Sequence, residues 1–187
     1  VVISMSCIAA AVIAVLLFRR ISNPSYRDIF NSDMLTGLKN RNAFEVDLHN
    51  REQQGKKEGL VILSFDLDRL KDVNDTFGHG CGDDYLRVSS GIIQDAIYGK
   101  CVLYRIGGDE FVFLSTVFDS EKEFLKLQRD FEASLGTLKL PDGSEHPITV
   151  AMGYSVLTHN MPRSMDDMVR EADAKMYEAK RRMKTEN

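Results

Sequence analysis

The sequence lacks the cysteine spacing that a zinc knuckle or a disulfide framework needs. Its three cysteines, Cys7, Cys81 and Cys101, stand far apart, and an odd count leaves no closed set of bridges. They are expected as free thiols in a reducing compartment. An excess of positive charge is missing too: 24 Lys and Arg stand against 28 Asp and Glu, a formal net charge of -4. That excludes the basic face of a duplex-binding domain, so no nucleic acid polymer is expected as a partner. An acidic site can still take a nucleotide, because metal ions can bridge carboxylates and phosphates. No internal repeat and no low-complexity tract interrupts the chain. What remains is ordinary: 43% hydrophobic and 28% charged residues over 187 positions, enough for one domain with its own core and a short appendage.

Charge is absent altogether from residues 1–18, VVISMSCIAAAVIAVLLF. A helix of that length spans roughly 27 Å, close to the hydrocarbon thickness of a bilayer. Arg19, Arg20 and Arg27 follow, and nothing basic precedes. The positive-inside rule then places the remainder in the cytoplasm. A signal peptide fits less well, since Arg19-Arg20 makes a poor cleavage site. A buried core helix rarely stays uncharged for so long. The chain opens on Val1 rather than Met, so a piece of a longer protein is expected. The expected organisation is a transmembrane helix at 1–18, the end of a longer membrane region. A connector at 19–32, broken at Asn23-Pro24, leads to a folded domain at 33–187.

Within the folded part, residues 40–54 read as a helix and Leu60 to Leu67 as a buried strand. Val61, Leu63, Phe65 and Leu67 share one face of that strand. On the other, Leu60 and Ile62 give way to Ser64, Asp66 and Asp68. Residues 69–77 form a short helix, Gly78 to Gly82 a glycine-rich turn, and Asp83 to Ile97 an amphipathic helix. Val102 to Ile106 and Phe111 to Leu114 are strands joined around Gly107-Gly108, a hairpin signal because tight turns favour positive φ. Ser120-x-x-Glu123 opens a helix, Pro141-Asp142-Gly143 makes a turn, and Ile148 to Leu157 is a strand. Ser164-x-x-Asp167 opens the last helix, with Met168, Ala172, Met176, Ala179 and Met183 on one stripe. This order predicts an α/β sandwich: a mixed, mostly antiparallel sheet flanked by helices.

Two acidic groups carry the chemistry. Asp66 and Asp68 end a buried strand, and Asp109 and Glu110 follow the Gly-Gly turn. If strand and hairpin are neighbours, their carboxylates converge at one end of the sheet. Converging oxygens suit Mg²⁺ or Mn²⁺. Two such ions can activate a hydroxyl and stabilise a leaving pyrophosphate. Singly, each acid reads as an ordinary turn or strand-end residue. Together, beside two glycines that let a phosphate approach the backbone, they read as a site.

Gly107-Gly108-Asp109-Glu110-Phe111 spells GGDEF, and the chain resembles the diguanylate cyclase family that bears this name. The likeness is not confined to the pentapeptide. The run Asp33-Met-Leu-Thr-Gly-Leu-Lys-Asn-Arg41 is similar to the family's opening D-x-L-T-G-L-x-N-R. Phe65-Asp66-Leu67-Asp68, Lys71, Asn74-Asp75, Gly78-His79 and Gly82-Asp83 match its F-D-x-D-x-x-K-x-x-N-D-x-x-G-H-x-x-G-D. Ala172-Asp173 and Tyr177-x-Ala179-Lys180 match its last helix. The resemblance covers about Asp33 to Lys184. It implies a fold like the nucleotide-polymerase palm and the class III nucleotidyl cyclases. It also implies a reaction in which two GTP molecules, held by two facing copies, condense to cyclic di-GMP and two pyrophosphates. A bacterial cell membrane, with the catalytic domain on the cytoplasmic side, is the implied location.

Roles carry over position by position. Asp66 and Asp109 are implied metal ligands, with the Leu67 carbonyl as a third, for Mg²⁺ or Mn²⁺ and two ions per site. Glu110 is the candidate proton acceptor, although in an ideal strand Asp109 and Glu110 point to opposite faces. Asn74 and Asp83 are implied to read the guanine edge, His79 to line the nucleotide site, and Lys71, Lys180 and Lys184 to contact phosphates. The bland readings stand beside these. Asp83 also suits a helix N-cap, His79 a structural role, and Lys180 to Lys184 a solvated basic helix end. Arg105 reads as orienting or structural.

Departures matter as well. Lys184 stands where the family usually has Arg, losing a bidentate phosphate contact but keeping the charge. The family's inhibitory product site, R-x-x-D, falls here on Tyr98 and Cys101, so that site is expected to be absent. Arg69 is expected to be exposed and of little effect. The competing readings are a catalytically weak module that binds GTP or cyclic di-GMP for regulation, and a scaffold for a partner phosphodiesterase. Loss of the acidic pentapeptide would favour the former, and here it is complete.

Overall fold

The computed structural model describes residues 7, 10–16, 29–54, 60–97, 101–115, 118, 121–140, 142–157 and 163–186. Among the described residues, seven strands and five helices of eight residues or more run β1 (Lys39–Asn40), α1 (Arg41–Gln54), β2 (Val61–Leu67), α2 (Leu70–Phe77), α3 (His79–Ile97), β3 (Val102–Arg105), β4 (Glu110–Ser115), α4 (Glu121–Ser134), β5 (Thr137–Lys139), β6 (Glu145–Pro147), β7 (Val150–Val156) and α5 (Met165–Glu186). The main sheet has the order β1-β3-β4-β2-β7, and β5-β6 form a separate two-stranded ribbon. Every pairing in the main sheet is antiparallel except β1 with β3.

The sheet sorts its side chains by strand alternation. Val61, Leu63, Phe65 and Leu67 of β2 join Phe111 and Phe113 of β4 on one face, where α2, α3 and α4 add Val73, Tyr85, Ile93, Phe124 and Phe131. Leu60, Ile62, Val112 and Leu114 belong to the other face, beneath Phe44 and Leu48 of α1 and Met168 and Ala172 of α5. Phe65 and Phe111 stack across β2 and β4 at 5.1 Å and 10°. The expected sandwich is therefore present, with a core on each side of one mixed sheet.

β2 is buried along its whole length, and Ser64 and Asp66 lie on the α1/α5 side. That places a carboxylate inside the fold, at the end of a strand held on both edges. α5 lies directly on β7: a Cβ on Gly153 would sit 2.1 Å from the Met176 nitrogen and 2.2 Å from the Ala172 oxygen. Only glycine allows that approach, and the approach sets where α5 carries Lys180.

Three expectations are corrected. The turn at Gly78 to Gly82 is confined to Gly78, and α3 already begins at His79. β1 and the β5-β6 ribbon were not anticipated; both are only two or three residues long, too short for periodicity to show. Gly107 and Gly108 do not hold positive φ, which among described glycines belongs to Gly37, Gly78 and Gly143. At Gly107 the crowding is with a side chain: a Cβ there would lie 2.6 Å from Glu110 Oε2, which would have to swing away.

Some expectations fall outside the described residues: Ser120, Pro141, Tyr98 and most of 1–18 and 19–32. Residues 10–16 are helical. Among the described residues, no helix is long and apolar enough to cross a membrane.

Candidate functional site

β2 and β4 pair so that Asp66 lies opposite Glu110. Directly opposed residues in an antiparallel pair share a face, so both acids look toward α5. Asp109 precedes β4, and strand alternation does not bind it. Its backbone carbonyl accepts from the Leu67 N–H at 2.9 Å. Its carboxylate turns toward the same place as Asp66. The Lys180 ammonium donates to Asp66 Oδ2 at 2.6 Å and lies 3.9 Å from Asp109 Oδ2. One cation from α5 thus faces Asp66 and Asp109, at the strand end where Glu110 stands opposite Asp66.

The electrostatics follow from burial. Asp66 is only 2% exposed, and its Oδ1 has no hydrogen-bond partner. Burial pushes its carboxyl above the usual range, against the hydrogen bond from Lys180, and the charges of Asp109 and Glu110 push the same way. Burial pulls the Lys180 ammonium down, but Asp66, Asp109 and Glu110 outweigh it and leave it above an ordinary lysine. Asp66 therefore stands above its usual range, buried and next to two further carboxylates. The cluster is short of positive charge.

That shortage is the test of fit for a divalent ion. Among the described residues no three His, Cys, Asp or Glu side chains are set to hold one. Asp66 and Asp109, however, are two carboxylates at one strand end, with an unpartnered buried oxygen beside the Leu67 backbone. Mg²⁺ is ordinarily bound by one or two carboxylates, with substrate phosphates completing the set. The residues fit such an ion.

The remaining expected residues divide. Asn74 of α2 packs onto α3: a Cβ on Gly82 would fall 2.0 Å from Asn74 Oδ1. Asn74 thus lies against the first turn of α3, the helix that carries Asp83, and both residues are half-buried. His79 and Lys71 are exposed on the same pair of helices, and Lys184 is exposed one turn beyond Lys180. A cleft of about 600 Å³ opens on the far side of Glu110, walled by Arg41, Phe44, Ser64, Asp173 and Tyr177. Asp66, Asp109 and Lys180 do not line it, so the acidic cluster lies beside this cleft, not within it.

The residues around the opening motif hold the hairpin. Arg105 donates to Asp33 Oδ1 at 2.9 Å and to the Gly108 carbonyl at 2.8 Å. Arg41 Nε donates to the Ile106 carbonyl at 2.9 Å. Asn40 Oδ1 accepts from the Ala43 N–H and caps α1. Arg105 is therefore a structural tie across the turn, one of the two roles expected. Arg69 is exposed as expected, but its backbone adopts φ 63, ψ 10, the one non-glycine positive φ among described residues. The sequence reading missed Tyr85, whose hydroxyl donates to the Asp68 carbonyl at 3.1 Å. In the sequence it looks like one more apolar position of an amphipathic helix.

Comparison with known proteins agrees with this arrangement. The family described as "Diguanylate cyclase, GGDEF domain" matches residues 30–186. The chain belongs to that family. It is 29% identical over 168 residues to diguanylate cyclase DosC of Escherichia coli K12, covering 89% of this chain and 36% of DosC. It thus spans little more than a third of that relative's length. The GGDEF domain of PA1120 (YfiN or TpbB) from Pseudomonas aeruginosa superposes with a TM-score of 0.72 at 30% identity, over 81% of this chain and 89% of that one. The GGDEF domain of DgcB from Caulobacter crescentus, solved in complex with c-di-GMP, gives 0.71 at 26% identity, over 81% and 90%.

Proposed function

We propose that this chain is an active diguanylate cyclase that condenses two GTP molecules into cyclic di-GMP and two pyrophosphates. The observation that carries this reading is the acidic cluster: Asp66 and Asp109 share the Lys180 ammonium, Glu110 stands opposite Asp66, and one buried Asp66 oxygen has no partner. In each half-reaction the 3′-oxygen of one GTP bonds to the α-phosphorus of the other. The bond from that phosphorus to the bridging oxygen of pyrophosphate breaks, and the hydroxyl proton leaves. Mg²⁺ or Mn²⁺, two per site, held by Asp66, Asp109 and the Leu67 carbonyl, would supply charge stabilisation for the attacking and leaving oxygens.

The chain's own groups do the rest. Asn74 and Asp83 hold the guanine, the Asp83 carboxylate accepting from N1–H and the 2-amino group together, a donor pair adenine lacks. Lys71, Lys180 and Lys184 meet phosphate oxygens, and His79 lines the base end. Glu110 lies on the reacting face and accepts the proton. One domain offers half a site, so two copies must face each other. The uncharged run at 1–18, followed by three arginines, supports a membrane anchor with this domain in the cytoplasm.

The test is incubation with GTP and Mg²⁺ at high protein concentration, products resolved by mass, beside Asp109→Ala. Cyclic di-GMP that disappears in the variant supports the reading. GTP binding without product would replace it with a regulatory nucleotide-binding module.

A further inference from the structure

The turn that follows β2 presents the Leu67 carbonyl, and two peptide planes decide its direction. The Asp68 N–H donates to the Thr149 carbonyl at 2.9 Å. In a trans peptide the carbonyl points opposite to the N–H, so the Leu67 oxygen faces away from Thr149. The next plane is held at its other end: the Tyr85 hydroxyl donates to the Asp68 carbonyl at 3.1 Å. That same peptide supplies the nitrogen of Arg69, which sits at φ 63 and ψ 10. A side chain there is strained, and such a residue persists only where its surroundings over-determine it.

Tyr85 is built for the task. It is fully buried on α3, and its ring stands edge-on to His146 of β6 at 6.0 Å and 70°. The β5-β6 ribbon thus backs the tyrosine, and the residue just past β6 and Ile148, Thr149, grips the neighbouring peptide. Thr149 Oγ1 also reaches Asp68 Oδ2 at 3.4 Å.

We infer that Tyr85 is a positioning residue for the divalent-ion site: its hydroxyl locks the Asp68-Arg69 peptide and so holds the adjoining Leu67 carbonyl aimed at the ion. This rests on the proposed metal-dependent cyclase reading. Removing the hydroxyl leaves the ring, the core and every proposed ligand in place, yet frees the strained peptide to rotate. Loss of a group that orients a ligand typically weakens metal binding by about 10–100-fold.

The experiment is Mn²⁺ binding to the full chain without turnover, followed by electron paramagnetic resonance of free Mn²⁺. The GTP analogue used carries a methylene bridge between its α- and β-phosphorus. Tyr85→Phe is expected to weaken Mn²⁺ about tenfold, on the low side of that range. Affinity for the analogue in EDTA stays unchanged, and in turnover the Mg²⁺ needed for half-maximal rate rises by the same factor. His146→Phe disturbs the packing behind Tyr85 but spares the hydroxyl, so it is expected to leave Mn²⁺ affinity at the wild-type level. Mn²⁺ binding in Tyr85→Phe within twofold of wild type overturns the inference, and so does equal weakening in both variants. Asp66→Asn separates the two levels. If it binds Mn²⁺ as well as wild type does, the reading of the site fails and the inference falls with it. If it loses Mn²⁺ while Tyr85→Phe does not, only the inference fails.

Discussion

Replacing Lys180 with methionine tests the electrostatics of the site more sharply than loss of activity does. The Asp66 side chain is 3% exposed and Lys180 28%, and they are 2.6 Å apart. Breaking a buried pair by removing one partner costs about 3–5 kcal/mol, because the remaining charge is uncompensated. Here the lysine end is partly open to water, which places the expected loss below that range, at about 2–3 kcal/mol at pH 7.5 in EDTA. The loss must depend on pH. Burial already holds the Asp66 carboxyl above its usual range, and without Lys180 it rises further. A carboxyl raised on folding destabilises the native state only as the anion. The penalty is absent below the unfolded value of about 3.9 and complete once the pH exceeds the folded value. Urea unfolding of Lys180→Met against wild type should therefore show a difference that shrinks below about 1 kcal/mol at pH 4.5. In the Asp66→Asn background the same substitution should cost under about 0.5 kcal/mol, as expected for a surface change. An equal loss at both pH values, or an undiminished loss beside Asn at 66, would refute the argument.

Gly153→Ala is expected to cost about 1–3 kcal/mol or more by overpacking, since its Cβ would meet the backbone of α5 at 2.1 Å. Because the displaced helix carries Lys180, thermal melting and GTP turnover should fall together, and unchanged turnover in the folded variant would sink the link. At Asp33, burial pulls the carboxyl up, but hydrogen bonds from Thr36 and Arg105 outweigh it and leave it low. A carboxyl lowered on folding stabilises above its unfolded value, and that stability is lost as pH falls through the folded value. Asp33→Ala should thus cost about 1–3 kcal/mol in urea unfolding at pH 7, and clearly less near pH 2.5. Finally, we propose that the family's inhibitory Arg and Asp fall on Tyr98 and Cys101, which lack the charges that site uses. Added cyclic di-GMP should leave the initial rate of GTP turnover unchanged, and inhibition that disappears on altering that surface would contradict the reading.

What could be read in the sequence was whatever a short stretch decides by itself. Alternation in Leu60 to Leu67 sorted the two faces of β2 correctly, and it placed Asp66 on the polar side before any partner strand was known. The Gly-Gly turn marked its hairpin, though not for the reason expected: neither glycine holds a positive φ. Contacts between distant segments left no such trace. Nothing local shows that Asp66 stands opposite Glu110, so the sequence could not tell that the two acids share a face. β1 was invisible because two residues have no period, and its pairing with β3 spans 65 positions, Lys39 to Tyr104 and Asn40 to Arg105. Tyr85 is the most instructive case. Its spacing on α3 is that of any core residue, and only the fold sets its hydroxyl against Asp68, 17 positions earlier. Helix periodicity tells which side chains turn inward. It does not tell which of those carry a polar tip to a distant backbone. That is where a site's alignment is decided, so the groups that aim the ligands are harder to read than the ligands themselves.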